Sequence, residues 1–216
     1  MKLPTEWSEV TLKQYQEVIE LSTVDMDELD KQIKIISILS GEREDKISDL
    51  SIPTIKKCIK ATSFIYAIPG KGRIRQSVKL AGKRYQINYY VNKLSGGEYI
   101  DLTGYLKDAN NTNSNLHYIV SIFMHPLNWF GLIDKKCYTK NAKGEYCQKL
   151  ESRNKTAELV KDMPMDVVFG MSGFFLNLWE HLIETTNHYL IKEVKKKNME
   201  VLKKLDSLII GDGTIR

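Results

Sequence analysis

The sequence predicts an α+β protein, mostly helical, with a central antiparallel β-hairpin and a long C-terminal helix. Three observations predict it. Through the first third, apolar residues recur at helical spacing, as Leu12, Tyr15, Val18 and Ile19 do. Between Arg73 and Val91 the period changes to two. From Pro164 a long apolar and aromatic run opens, too long for a strand.

Each element has a local reason. Thr11 caps a helix reaching about Leu21. Asp25 begins a second helix, with Leu29, Ile33, Ile36 and Ile38 or Leu39 as its buried stripe, and Gly41 stops it. A third starts at Ser51 and Pro53, because proline near the first helical position forfeits no hydrogen bond. Ile55, Ile59 and Ile65 are its core positions, and Pro69-Gly70 ends it. Ile74, Val78 and Leu80 then alternate with Arg73, Arg75 and Lys79. After a turn at Ala81-Gly82, Tyr85, Ile87, Tyr89 and Val91 alternate with Arg84, Gln86 and Asn88. This is a hairpin with one apolar and one basic face. Two strands alone are marginal, so the apolar face must rest on helices or join another sheet.

Ser95 caps a helix over Gly96–Lys107, and Asn110 to Asn115 is a loop. A helix follows from His117 to Met124 and breaks near Pro126. Cys137 to Leu150 forms a weaker second hairpin, and Glu151 to Lys161 is helical. The last helix opens at Pro164 and runs to at least Tyr189, extending toward Leu208, with Thr185-Thr186-Asn187 its weakest point. The whole reads as a single domain over 1–216: helical front 1–69, basic hairpin 70–93, helical remainder 94–210 and a loose tail 211–216.

Bulk composition narrows the class. A chain of 216 residues, 42% hydrophobic and 27% charged, is an ordinary globular protein. Cys58, Cys137 and Cys147 are an odd count, which favours structural thiols in a reducing compartment over a disulfide framework. Cys137 and Cys147 flank a turn at Asn141 to Gly144 and so could face each other across it. No apolar stretch follows Met1-Lys2-Leu3-Pro4, so no signal peptide is expected. Met163 to Trp179 is too short and too polar for a membrane span.

Charge is segregated along the chain. From Asp25 to Asp49 there are eight acidic and four basic residues; from Lys56 to Lys93 there are ten Lys or Arg and no acid. Such a block points to an anionic partner. Lys71, Arg73, Arg75, Lys79, Lys83 and Arg84 converge on the hairpin and are the candidate binding residues. Three readings stay open for them: a charged protein interface, a nucleic-acid contact, and a solvated face whose lysines discourage edge pairing. Tyr90 is the only aromatic expected there, which is thin for a stacking platform. Pro69-Gly70-Lys71-Gly72 lacks phosphate-loop spacing and precedes a strand. In the last helix, Ile191, Val194, Asn198, Val201, Leu205 and Leu208 keep an a/d rhythm, as an oligomer contact or as packing on the same domain. His181, Glu184 and His188 share a helical face but match no metal motif, so no metal or cofactor is expected. No catalytic pairing stands out, and the reading is of a protein that is not an enzyme.

Several strings stand out together. They are Leu3-Pro4-x-x-Trp7-x-Glu9-Val10-Thr11-Leu12-x-Gln14-Tyr15, then Gly82-Lys83-x-Tyr85 through Leu94-Ser95-Gly96-Gly97-Glu98-Tyr99-Ile100-Asp101-Leu102. Asp162-Met163-Pro164 and Phe174-Phe175-x-Asn177-Leu178 complete the set. This combination resembles small proteins encoded among the tail and neck genes of tailed bacteriophages, including crAss-like phages; in outline the helical front also resembles phage tail assembly chaperones. The strings are fold positions and carry no catalytic residues. The resemblance implies a virion protein made in the host cytoplasm: a ring or head–tail connector subunit contacting other phage structural proteins and copies of itself. It also implies, as an alternative, a tail assembly chaperone absent from the particle; a reading of a different class is an accessory DNA-binding protein.

Overall fold

A computed structural model describes residues 1–66, 74–90, 94–107, 112–140 and 146–171. The chain divides into two compact units, Met1–Gly173 and Phe174–Arg216. All described residues lie in the first, which is α+β with a small antiparallel sheet.

Helix α1 (Leu12–Ser22) starts where its cap predicts. Thr11 Oγ1 accepts from the Gln14 backbone N–H, and Gln14 reaches back to the Thr11 N–H, a reciprocal capping box. Gln14 does more than cap. Its Nε2 donates to the carbonyls of Ile38 and Leu39 at 3.0 and 3.2 Å, satisfying the end of α2 (Glu28–Ser40). That second helix begins three residues later than its first acid implies, because Asp27, not Asp25, caps it. Its inward face is Ile35, Ile36 and Leu39, while Leu29 is exposed.

A short helix absent from the sequence reading, α3 (Glu44–Ser48), carries Ile47 inward. Helix α4 (Ile52–Thr62) follows, with proline in its first turn. Ile36, Ile47, Ile55 and Cys58 pack as one cluster, with Leu3, Ile33, Leu50 and Ile59 against it. Burial of such residues is the main stabilising contribution, on the order of 1.5–3 kcal/mol for each large aliphatic side chain.

Strands β1 (Ser77–Leu80) and β2 (Lys83–Ile87) form the predicted hairpin, shorter at both ends than the alternation implies. Ile74 lies before β1 and is exposed. The hairpin does not stand as two strands. Met124–Pro126, which the sequence presents as the end of a helix, is a third strand, β3, paired to β2. Helix α6 (Leu116–Ile122) ends just before it, and α5 (Gly96–Lys107) starts at the Ser95 cap as predicted.

Strands β4 (Tyr138–Lys140) and β5 (Tyr146–Gln148) make the second hairpin. Cys147 sits opposite Thr139 and not Cys137, and all three thiols are free. Helix α7 (Leu150–Val160) is tied to α5 by an ion pair between Arg153 and Asp101. A further helix, α8, opens at 165–171.

The segment before α1 meets the segment after α7. Leu12 and Lys13 donate to the carbonyls of Met163 and Lys161 at 2.9 and 2.8 Å, and Met165 donates to Val10 at 2.8 Å. Trp7 packs edge-on against Tyr15, Phe64 and Phe169, with centroids 6.0, 5.4 and 5.2 Å away. Two of those strings, at 3–15 and 162–164, are therefore one packing site.

Among the described residues no helix is long and apolar enough to cross a membrane.

Candidate functional site

The turn Ala81-Gly82 decides how the cations are displayed. Both residues have positive φ, 45° and 78°, the backbone of a two-residue type I′ loop. Leu80 therefore faces Lys83, Lys79 faces Arg84, Val78 faces Tyr85 and Ser77 faces Gln86. Alternation sorts these pairs onto two surfaces. Val78, Leu80, Tyr85 and Ile87 turn inward, and Ser77, Lys79, Arg84 and Gln86 are exposed.

Lys79 and Arg84 are directly opposite each other on the exposed face. Like charges in that arrangement destabilise a sheet unless something anionic lies across them. Among the described residues, neither has an ion-pair partner. Arg75 is exposed before β1, and its carbonyl accepts from Tyr89 Oη at 2.9 Å. Lys71 and Arg73 lie outside the described residues, as do Ile191, Val194, Asn198, Val201, Leu205 and Leu208, and the set His181, Glu184 and His188.

Lys83 does not belong to this face. It shares the inward surface with Tyr85, and its Nζ donates to Asp134 Oδ2 at 2.8 Å and lies 3.5 Å from Cys137 Sγ. Burial pulls the ammonium pKa down, but the Asp134 hydrogen bond and the neighbouring Cys137 and Asp134 outweigh it, and the net shift is upward. Asp134 responds in kind: the Lys83 hydrogen bond holds its carboxyl below the usual range, against a smaller opposing push from burial. A lysine held protonated is neither nucleophile nor base. The pair anchors the turn at 134–137 to the hairpin.

What the sequence reading missed is the loop between β3 and that turn. Leu127 and Ile133 bridge across its base, and Asn128 N–H donates to Leu132 O at 2.7 Å. Asn128 Oδ1 accepts from the N–H groups of Phe130 and Leu132, both at 3.0 Å. Gly131, at φ 76°, supplies the left-handed step that closes it. This hydrogen-bonded frame holds Trp129 and Phe130 out at 96% and 84% exposure, with Leu132 and Ile133 also exposed. Exposed large apolar groups clustered this way mark interaction surfaces. The available signal was the string Asn128-Trp129-Phe130-Gly131 between Pro126 and Asp134. Its outward direction was not legible, since apolar residues default to the core.

The loop stands between two grooves. One, of about 660 Å³, is lined by Lys79, Arg84, Lys136, Asn128 and Trp129, with the Lys83–Asp134 pair in its wall. The other, of about 650 Å³, is lined by Gln86, His125, Leu132, Ile133 and Tyr138. There His125 Nδ1 and Tyr138 Oη are 2.7 Å apart. Burial pulls the His125 imidazole below its ordinary pKa, partly opposed by Glu98. Burial likewise pushes the Tyr138 phenol well up.

The arrangement is suited to binding: cations in a ridge, an aromatic tip beside them, and grooves on either side. Among the described residues, no cluster of three His, Cys, Asp or Glu side chains converges as a metal site. Comparison with protein-family models, curated proteins and solved structures finds no match for this chain.

Proposed function

We propose that the chain is a structural subunit of a tailed-phage virion, in the tail or head–tail junction, acting through protein–protein interfaces rather than by catalysis. One observation carries the interface part of this reading. Lys79 and Arg84 are held opposite each other on an exposed strand face with no carboxylate among the described residues to compensate them. A protein that keeps such a pair beside an exposed tryptophan presents a surface that gains stability on meeting an anionic, partly apolar partner. The placement in a virion rests on the resemblance of the strings at 3–15, 82–102 and 162–178.

The test is particle composition. Mass spectrometry of purified particles is expected to find this chain in a copy number that is a multiple of the local symmetry. In the double variant Lys79→Glu/Arg84→Glu, incorporation should be lost while thermal stability stays within about 0.5 kcal/mol of wild type, as surface substitutions do. Absence from particles that nonetheless need the gene would favour the assembly chaperone. Unchanged incorporation of the double variant would remove the basic face from the account.

A further inference from the structure

The described unit carries a second surface whose chemistry is the inverse of the basic ridge. From Glu17 to Asp30 there are six carboxylates and no cation. Glu17 is engaged by Lys13 at 3.9 Å. Glu20, Asp25, Asp27, Glu28 and Asp30 are all exposed, and among the described residues none has an ion-pair partner. Beside this acidic segment, between α1, α2 and the turn after α4, lies an apolar notch of about 280 Å³, walled by Tyr15, Val18, Ile19, Ile35, Ile65 and Tyr66, with Ser22, Glu28 and Lys31 at its edge. That is smaller than the roughly 300–1,000 Å³ of a pocket taking a whole small ligand. It is of a size for one large side chain.

The loop 127–133 is its counterpart in shape and in net charge. It offers an aromatic tip where the notch offers an apolar recess, and Lys79, Arg84 and Lys136 where the segment beside the notch offers exposed carboxylates. We infer that the Trp129-Phe130 tip of one copy seats in the α1–α2 notch of a second copy, with the basic ridge meeting the exposed acidic segment that adjoins the notch. An aromatic anchor in an apolar pocket inside a charged ring is the usual composition of an interface hot spot. The two surfaces share no residue, so the contact is heterologous: each copy retains a free tip at one side and a free notch at the other. Repetition then builds a closed ring or a filament, not a two-fold dimer. The inference deepens the interface reading above and rests on it for the role of the basic face.

Two full-length variants test it, both altered at exposed positions. Trp129→Ala/Phe130→Ala removes the tip and keeps the notch; Ser22→Arg fills the notch mouth and keeps the tip. Light scattering after size exclusion is expected to show wild type well above its 24.9 kDa monomer mass and each variant at monomer mass. The affinity loss should be about 30-fold or more for the tip variant. Mixed together, the two variants should give a one-to-one dimer, since one intact tip and one intact notch remain. High salt should weaken the wild-type assembly without abolishing it. Monomeric wild type at the highest attainable concentration would overturn the contact, whether the chain's own 174–216 segment or a different acidic protein covers the tip. Undiminished self-association of either variant, or a mixture that stays monomeric, would overturn it equally. In those cases incorporation of Lys79→Glu/Arg84→Glu into particles still decides the subunit reading separately.

Discussion

Asp134 shows what one side chain contributes here. It accepts from Lys83 across 51 positions of sequence and, through Oδ1, from the Lys136 N–H at 3.2 Å. Its folded pKa is depressed, chiefly by that lysine. Its contribution to stability is therefore present above the unfolded value of about 3.9 and is lost as pH falls through the lower folded value. For Lys83 the sign reverses: its raised pKa contributes below the unfolded value of about 10.4, and that is lost as pH rises through the higher folded value. Because the lysine is partly exposed, Asp134→Asn should cost only about 0.5–1 kcal/mol at pH 7 in urea melts. The difference from wild type should shrink as pH drops below about 4. A difference constant from pH 7 to strong acid would show that the ion pair is not its source. The period of two already placed Lys83 with Tyr85 and Ile87. Grouping it with the cations by charge alone set that parity aside, and the Asp134 partner was not visible locally.

At the scale of elements, the ribbon depends on its turn. Ala81 adopts positive φ, where an L-residue with a Cβ is disfavoured by about 1–2 kcal/mol. Asn tolerates this conformation and, ahead of Gly82, completes the preferred type I′ pair. Ala81→Asn is expected to stabilise the protein by about 0.5–1 kcal/mol, a shift of roughly 1–4 °C in Tm. A lower Tm would mean that the turn is not the type I′ loop described. Helix starts at Thr11 and Ser95 were legible because capping is decided within four residues, and the start at Ser51 because Pro53 falls in the first turn. Strand β3 was not. Its three residues carry no usable alternation, and they are a strand only because β2 lies alongside.

For the whole unit, the decisive junction is Trp7 between Tyr15, Phe64 and Phe169, where the helical front meets the segment after α7. Trp7→Ala should lower stability by about 3 kcal/mol in denaturant melts. A loss under about 0.5 kcal/mol would mean that front and back do not depend on this contact. By itself the sequence determined the fold class, the helix starts at Thr11, Ser51 and Ser95, the hairpin with its Ala81-Gly82 turn, and the segregation of charge. All of these follow from periodicity, capping and composition within a few residues. Only the tertiary structure decided that Lys83 pairs with Asp134, that Met124–Pro126 completes the sheet, and that Trp129 points outward. Each of those outcomes is set by partners distant in sequence, through pairing and burial that no local pattern encodes.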